Sequence, residues 1–386
     1  MTATAELLER HRPFLRYDSQ ESYFADSAAE WTDNPGNELR RADGTVLAVA
    51  AQGLELAFLG PHYTANASAA KADVISNPSR KYREQARALH ATPGYPNQMY
   101  GHAVLDDAGD LWLQYWFFYF YNDYNLIGAF IHAGLHEGDW EMIQVRLHDE
   151  TPNLAVYCQH AGATKRDWSK VEQLSGTERP VVYVARGSHA SYFDSGTHWT
   201  GHWFDHADGS RRSPELNLNV VEDGDDQWRW IRWPGSWGDT KASGDNPLDS
   251  NSPRGPAAHD QWDDPLSLID TAAKRLAQPA EKRSPPPPPH VRVEWDGDKI
   301  RVLYQVKPAP GGRRPMGLAV TINSPDEKTP PTTEAIRIDT ATGSVTAAAK
   351  TDPSHAYDVY TSAATADGLA SASVRSDLSP KSPPGG

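Results

Sequence analysis

The sequence predicts a mainly β protein with a few short helices, organised as a β-sandwich first domain followed by a second, smaller β-sandwich. Three observations predict this fold class. Most of residues 100–235 consists of short runs of aromatic and β-branched residues, which favour strands. Turns that contain Asp and Gly divide these runs from one another. A proline run at 284–289 separates two unequal parts of the chain, because polyproline forms a stiff, extended spacer.

The individual elements can be predicted in chain order. Residues 5–12 predict a short helix that ends at Pro13, and the second half of residues 70–90 also has a helical pattern. Residues 111–123, LWLQYWFFYFYND, are apolar and aromatic on both faces, which is typical of a central strand buried on both sides. Similar composition predicts further strands at 154–160, 180–185 and 227–233.

The second half of the chain predicts loops, a linker and a separate β domain. Residues 238–265 are polar and rich in Pro and Gly, so we expect a loop that wraps the first domain, and then a short helix near 265–277. Residues 291–306 predict a hairpin with an Asp-Gly turn. The predicted limits are 1–278 for the first domain, 279–289 for a proline-rich linker, 290–376 for the second domain and 377–386 for a disordered tail.

Charge and cysteine content limit the partners and the compartment. The chain has 386 residues and a net charge of −14 without a basic cluster, which argues against nucleic acid and against an anionic membrane as partners. Cys158 is the single cysteine, so no intrachain disulfide is expected. No apolar run resembles a signal peptide or reaches transmembrane length. A cytoplasmic location is therefore expected, and export without a classical signal stays open. The Ala-, Arg-, Pro- and Asp-rich composition suits a bacterial, high-GC genome.

The stretch LHEGDWEMIQVRL at 135–147 contains the strongest candidate site. From Asp139 onward the alternation of a strand places Asp139 and Glu141 on one face, at the head of an apolar row. Two such carboxylates need a cation, an arginine or a proton, because they repel each other and are poorly solvated. A divalent metal is the interpretation that also uses His136. Oxygen-rich ligands with one imidazole suit Mg, Ca or Mn rather than Zn.

A structural role is the alternative for these three residues, as an internal salt-bridge network with Arg146 or Arg186. His160 and His189 each follow a predicted strand end, where loops gather site residues. One interpretation is that each histidine has only a structural role in its turn. If both converge with the acidic motif, they are candidates for general acid or base catalysis.

Two further sequence patterns are each compatible with more than one role. His198, His202 and His206 are spaced by four residues and would share the face of a helix, although the surrounding Trp, Phe and Gly favour a strand or loop. The dense aromatic residues, including 13 Trp and 16 Tyr, are typical of core packing. They would also suit a pocket for a cationic ligand.

Several strings occur in the order seen in proteins of the vacuolar protein sorting-associated protein 62 family, which the chain resembles over residues 14–240. The strings are FLRYDSQESYFADSAAEW, QYWFFYFYND, HEGDWE, CQHAGA, VVYVARGSHASYF and GSWGDT. The family name comes from a trafficking phenotype, and the resemblance implies no particular biochemical activity.

Two shorter resemblances concern the acidic motif and the C-terminal part. Residues His136, Asp139, Trp140 and Glu141 are similar to the heptapeptide Gly-His-Arg-His-Asp-Trp-Glu of necrosis- and ethylene-inducing peptide-like toxins, which place a divalent cation on a β-sandwich. That resemblance implies a metal site at His136, Asp139 and Glu141, with Asp123 as the upstream ligand. Residues 357–374 resemble the last strands of a fibronectin type III domain, with Tyr357 as a candidate tyrosine corner.

These observations together favour a divalent-metal-dependent enzyme, a hydrolase or lyase acting on a phosphate- or ester-bearing substrate such as a lipid or isoprenoid. In this hypothesis Asp123, His136, Asp139 and Glu141 bind the metal, and His160 and His189 are catalytic. One alternative is a protein that binds lipid or glycan headgroups through the metal, as the toxins do. The other is a trafficking or scaffold protein in which the acidic motif is structural. The sequence does not predict the oligomeric state.

Overall fold

A computed structural model gives the structure of the chain. It describes residues 3–65, 67–124, 135–160, 162–199, 204–239, 251–267, 286–309, 314–323, 332–349, 351–365, 371 and 373–381.

The described elements confirm a mainly β protein. The α-helices are α1 (Ala3–Arg10), α2 (Ala28–Thr32), α3 (Leu56–Ala65), α4 (Ala67–Ala70) and α5 (Tyr82–His90). Short 3-10 helices span Ala50–Gln52, Trp168–Lys170, Asp226–Arg232, Pro256–Ala258 and Asp260–Trp262.

The strands of the first part of the chain are β1 (Phe14–Tyr17), β2 (Glu38–Arg40), β3 (Val46–Val49), β4 (Val74–Ser76), β5 (Gln98–Leu105), β6 (Leu111–Asn122), β7 (His136–His148), β8 (Thr151–Gln159), β9 (Gly162–Asp167), β10 (Val181–Val184), β11 (Ser191–Tyr192), β12 (Gly196–Trp199), β13 (Phe204–Ala207), β14 (Arg211–Arg212), β15 (Asn217–Val220) and β16 (Ser236–Trp237). Beyond the prolines follow β17 (His290–Asp296), β18 (Lys299–Gln305), β19 (Pro315–Asn323), β20 (Thr332–Arg337), β21 (Thr342–Thr346), β22 (Tyr357–Thr365) and β23 (Val374–Leu378).

A six-stranded sheet with the order β15-β5-β6-β7-β8-β9 forms the centre of the first domain. Strands β5 to β9 pair antiparallel, and β15 joins β5 in parallel. Strand β6 is buried along almost its whole length, as its apolar and aromatic sequence predicts. The central sheet is therefore covered on both faces.

Side chains of β6 and β7 alternate between two hydrophobic cores. One face contributes Trp112, Trp116, Trp140 and Met142 to a core closed by the sheet β16-β4-β2-β3. The other face contributes Leu113, Tyr115, Phe117, Ile143 and Val145 to a core closed by the sheet β11-β10-β1-β14. The first domain is thus a sandwich of three layers, because its central strands are apolar on both faces.

The predicted strand at 227–233 is wrong. Asp226–Arg232 forms a 3-10 helix, and the Asp225 side chain caps its N-terminus by accepting a hydrogen bond from Gln227 N. Trp230 and Ile231 are buried on one side of this helix. The alternation of Trp with polar residues therefore reflects one buried side of a short helix.

The predicted wrapping loop packs on the central sheet in its described part, 251–267. The buried Trp262 ring stacks on His102 at 3.9 Å between ring centroids. Gln144 Nε2 donates a hydrogen bond of 2.7 Å to Pro265 O. The predicted helix near 265–277 lies almost entirely outside the described residues, and so does 240–250.

The part of the chain beyond residue 286 forms two facing sheets, β17-β18-β21 and β20-β19-β22-β23, around a hydrophobic core of their own. The Tyr357 hydroxyl accepts a hydrogen bond of 2.9 Å from Asp352 N, five residues upstream. Strand β23 continues to Leu378, two residues into the predicted disordered tail, and Lys381 N still donates to Pro353 O at 2.7 Å. Residues 382–386 lie outside the described residues. No described helix is long and apolar enough to span a membrane.

Candidate active site

The candidate site lies where β7 begins and β6 ends. The two strands pair antiparallel, so Asn122 lies opposite His136 and Tyr119 lies opposite Asp139. His136, Asp139 and Glu141 are all buried, at 8%, 5% and 8% relative exposure. The sheet register therefore places the acidic motif at one end of the central sheet.

Gly138 brings His136 and Asp139 to the same side of the sheet. Its φ of +59° is the left-handed conformation that glycine adopts without strain. The irregular residue interrupts the alternation of β7, so that His136 Nε2 lies 3.9 Å from Asp139 Oδ1. A Cβ on Gly138 would lie 2.0 Å from Trp237 O. Both the conformation and the space require glycine here.

His189 forms the closest contact with Asp139. His189 Nδ1 lies 2.9 Å from Asp139 Oδ2, and the imidazole stacks on the Tyr119 ring at 3.9 Å. His189 Nε2 faces Glu21 Oε1 at 3.8 Å. Complete burial alone would lower the pKa of His189, but the hydrogen bond to Asp139 and the Glu21 carboxylate outweigh it and raise the pKa to about 9. The imidazole is therefore a buried cation between two carboxylates.

Glu21 holds the turn that carries His189. Its Oε2 accepts a hydrogen bond of 2.6 Å from Gly187 N, and its Oε1 accepts from Ser22 N and Tyr23 N at 2.7 and 2.9 Å. His189 N closes the turn by donating to Ala185 O at 3.0 Å. The segment before α2 thus fixes the position of the imidazole.

Glu141 differs from its neighbours because its carboxyl has no hydrogen-bond or ion-pair partner among the residues that the structure describes. Burial, followed by the nearby charges of Asp139 and Asp205, raises the pKa of Glu141 well above its ordinary value. Of the three ways to stabilise this carboxyl, an arginine is ruled out within the described ranges. Among the residues that the structure describes, this leaves a proton or a cation as the stabilising partner.

His136 is placed as a neutral imidazole. Its Nδ1 lies 2.7 Å from Gly138 O, and since a carbonyl only accepts, Nδ1 carries the hydrogen and Nε2 keeps its lone pair. Burial lowers the pKa of His136 below its ordinary value, although Asp139 opposes this shift. The lone pair is directed toward the side on which Asp139 lies, where it can accept a proton or bind a cation.

A second histidine–carboxylate pair lies beside Glu141. His160 Nε2 lies 2.9 Å from Oδ2 of the buried Asp205. The same carboxylate accepts a hydrogen bond of 2.6 Å from Tyr192 Oη at Oδ2 and one of 3.1 Å from Ser188 Oγ at Oδ1. Burial would raise the pKa of Asp205, but His160 and these hydroxyls hold it below its ordinary value. The His160 side chain is 36% exposed, so this pair connects the buried site to solvent.

The predicted site residues are therefore partly brought together. His136, Asp139, Glu141 and His189 form one group, and His160 joins it through Asp205. The Asp123 carboxylate is instead paired with Arg83, whose Nε and Nη2 bind its two oxygens at 2.7 and 2.6 Å.

Two members of the site were missed by the sequence reasoning. Glu21 lies in DSQES, which has no distinctive pattern, and Asp205 lies in the histidine-rich HWFDH, where the histidine spacing is the stronger signal.

The positions of these side chains also bear on metal coordination. Within the described parts of the chain, no group of three or more His, Cys, Asp or Glu side chains is arranged to hold a metal ion. His198 stacks on Tyr192 at 3.8 Å, and His206 Nδ1 lies 2.9 Å from Thr197 Oγ1, on the paired strands β12 and β13. His202 lies outside the described residues. The aromatic residues around Trp140 pack against one another as core.

The fold and the site define a class: a layered β protein with a buried carboxylate–histidine site at one end of its central sheet. The family model of vacuolar protein sorting-associated protein 62 matches residues 1–207, and the chain belongs to this family.

Two relatives from Saccharomyces cerevisiae are similar to short parts of the chain. The protein described as "Putative vacuolar protein sorting-associated protein TDA6" is 28% identical over 123 residues, which cover 27% of this chain and 26% of that protein. Vacuolar protein sorting-associated protein 62 itself is 30% identical over 108 residues, or 24% of this chain and 23% of that protein. The chain thus spans about a quarter of each relative.

Two of the similar solved structures are distant from this chain. Wild-type OgpA from Akkermansia muciniphila is 13% identical with a TM-score of 0.21, covering 43% of this chain and 58% of that one. The spore cortex lytic enzyme SleM from Clostridium perfringens is 13% identical with a TM-score of 0.18, covering 42% and 47%. These scores are too low to support an argument about the fold or activity of this chain.

Proposed function

We propose that the chain is a hydrolase that cleaves an ester-type bond by acid–base catalysis, with Glu141 as the general acid. The observation that carries the proposal is the Glu141 carboxyl, which is 8% exposed, without a hydrogen-bond partner among the described residues and close to two other carboxylates. Burial and the neighbouring charges favour the protonated form of such a carboxyl, which can give its proton to a leaving group.

The neighbouring residues have complementary roles in this proposal. Asp205 orients His160, whose imidazole takes a proton from the attacking water while Glu141 protonates the oxygen of the leaving group. His160 then returns its proton through solvent, and Glu141 is protonated again. The ion pair of His189 and Asp139 keeps a fixed charge beside the reacting atoms. A lyase reaction would use the same acid, with the base acting on a carbon-bound hydrogen.

A divalent cation in place of the Glu141 proton is the second form of the proposal. Its support is the Nε2 lone pair of His136, 3.9 Å from Asp139 Oδ1, with Glu141 on the same strand. Mg, Ca or Mn would suit these ligands. A bound cation would polarise a phosphate or ester oxygen or lower the pKa of a water.

The other two functions have less support. A scaffold role predicts that Asp139 and Glu141 pair with arginines, and within the described residues neither does. A headgroup binder predicts an exposed, shallow site, whereas Asp139 and Glu141 are 5% and 8% exposed. A small-molecule substrate and a cytoplasmic location stay predictions. For the C-terminal part we propose a fibronectin type III-like module, supported by its two facing sheets and the Tyr357 hydrogen bond.

The test compares wild-type protein with Glu141→Gln on chromogenic carboxylic esters and phosphoesters, each assayed in EDTA and with Mg, Ca or Mn. Glu137→Gln is the matched control, because Glu137 lies on the same strand and is also buried, and burial raises its pKa to about 8.

We expect Glu141→Gln to lose about 100-fold or more of the turnover, while Glu137→Gln keeps it and EDTA has no effect. Loss of turnover in EDTA would favour the cation form. Undiminished turnover in Glu141→Gln, or no turnover of any of these substrates by wild type, would contradict the proposal.

A further inference from the structure

A buried side-chain bridge joins the turn that carries His189 to the C-terminal β-sandwich. Gln20 is fully buried, and its two amide atoms point to different parts of the molecule. Gln20 Oε1 accepts a hydrogen bond from Arg186 Nη1. Gln20 Nε2 donates a hydrogen bond to Ser373 Oγ, just before β23. One side chain therefore connects the first domain with the second.

Arg186 depends on this bridge. Its guanidinium is buried at 1% exposure, and its Nε and Nη2 have no hydrogen-bond acceptor among the described residues. It forms no ion pair in the described part of the chain either. Gln20 Oε1 is therefore the acceptor that fixes the position of a buried cation, and a buried charge tolerates the loss of such a partner poorly.

Arg186 is linked directly to the candidate site because it begins the turn that carries His189. Arg186 precedes Gly187, whose φ is +71° and whose Cβ position would lie 2.4 Å from Asp123 O, so the turn requires glycine and its backbone lies directly against Asp123. Gly187 N donates to Glu21 Oε2 at 2.6 Å, and Glu21 follows Gln20 in the chain. The pair Gln20 and Glu21 therefore holds both the start of the turn and the imidazole of His189.

A second contact supports the connection between the domains. Asn323 Nδ2, at the end of β19, donates a hydrogen bond of 3.3 Å to Ser19 O. Ser19 and Gln20 are thus contacted from two separate segments of the C-terminal sandwich. The segment 19–21 is the shared support of the domain contact and of the His189 turn.

We propose that Gln20 is a positioning residue through which contact with the C-terminal β-sandwich sets the geometry of the Arg186–His189 turn. The C-terminal sandwich is then a part of the catalytic unit rather than a spacer. The inference rests on the proposed function only for its effect on turnover, since the structural coupling can be measured without a substrate.

The experiment uses the full chain with isotope-labelled histidine and follows the His189 ring signals by NMR, assigned with His189→Gln. Ser373→Ala removes only the C-terminal end of the bridge and leaves the contact between Gln20 and Arg186 available. Ser373→Thr keeps the hydroxyl. Ser344→Ala is the matched control, because Ser344 lies exposed on β21 of the other sheet of the same sandwich.

We expect Ser373→Ala to move the His189 signals, and Ser373→Thr and Ser344→Ala to leave them at their wild-type positions. Gln20→Ala should move them further and lower kcat by about 10- to 100-fold with little change in KM, as a misplaced catalytic group does. Unmoved His189 signals in folded Ser373→Ala would overturn the coupling. If the signals move but Glu141→Gln keeps full turnover, the coupling stands and the proposed function fails.

Discussion

Substitution of Gly138 by alanine tests how the backbone assembles the site. The substitution has two separate costs. Alanine at a φ of +59° is strained by about 1–2 kcal/mol. In addition its Cβ would lie 2.0 Å from Trp237 O, a backbone atom that cannot rotate away, and such overpacking costs about 1–3 kcal/mol. We therefore expect Gly138→Ala to lower the free energy of unfolding by roughly 2–5 kcal/mol.

Gly109→Ala is the matched control for this prediction. Gly109 has a φ of +85°, and nothing lies within 4 Å of its Cβ position, so the substitution has the strain without the steric conflict. We expect it to cost only about 1–2 kcal/mol. The assay is urea unfolding followed by tryptophan fluorescence, which reports mainly on the first domain because only Trp295 of the 13 tryptophans lies beyond the prolines. Equal destabilisation by the two substitutions would refute the reasoning.

Three further predictions concern other parts of the molecule. Arg83→Ala removes the ion-pair partner of the buried Asp123 carboxylate and should lower the free energy of unfolding by about 1–3 kcal/mol, a moderate loss because Arg83 itself is half exposed. Adding Asp123→Asn to Arg83→Ala should recover part of this stability. Additive effects of the two substitutions in the double-mutant cycle would contradict the pairing. Burial, and then the charge of Arg186, lowers the pKa of His206 to about 3, so His206 is neutral in the fold while the unfolded chain takes up a proton below pH 6.5. The free energy of unfolding is therefore unaffected by the titration of His206 above pH 6.5 and decreases as the pH falls toward 3, by about 2 kcal/mol at pH 5. In denaturant titrations at pH 7 and pH 5, His206→Gln should lose less of its free energy of unfolding between the two pH values than wild type does. An equal loss in the two proteins would count against the burial argument. Tyr357→Phe removes the hydrogen bond from Asp352 N and should lower the stability of the C-terminal sandwich by about 0.5–1.5 kcal/mol, seen as faster amide exchange there and not in the first domain.

The central strands could be predicted from sequence because their composition reflects burial directly. Strand β6 is apolar on both faces and is buried on both faces. Asp139 and Glu141 share a face with Ile143, as strand alternation predicts, since Ile143 packs in one core and Trp140 in the other. These relations depend on neighbours within one strand, which the order of residues records.

Contacts between distant segments could not be predicted in this way. His136 reaches the side of Asp139 only because Gly138 adopts a positive φ, and the spacing of a regular strand would place these residues on opposite faces. Glu21 and Asp205 come to the site from other strands and loops, with no local pattern to identify them. Asp123 has the right residue type and approximate position, but Arg83 on a separate helix binds it.

The 3-10 helix Asp226–Arg232 shows a limit of pattern reading in short segments. Alternating Trp and polar residues fit a strand, and a short helix with one buried side can give a similar pattern. The Asp225 cap and the packing of Trp230 decided the outcome, and both depend on residues outside the alternation itself.

The protonation state of Glu141 decides whether this residue can act as a general acid, and it can be measured directly. Infrared difference spectroscopy at pH 7 in EDTA would compare wild type with Glu141→Gln, using Glu137→Gln to identify the signal of a second buried carboxyl whose pKa is raised by burial. We expect a neutral carboxylic-acid band that disappears in Glu141→Gln and is unaffected by adding Mg, Ca or Mn. Identical neutral-carboxyl bands in wild type and Glu141→Gln would show an ionised Glu141 and contradict its role as the general acid.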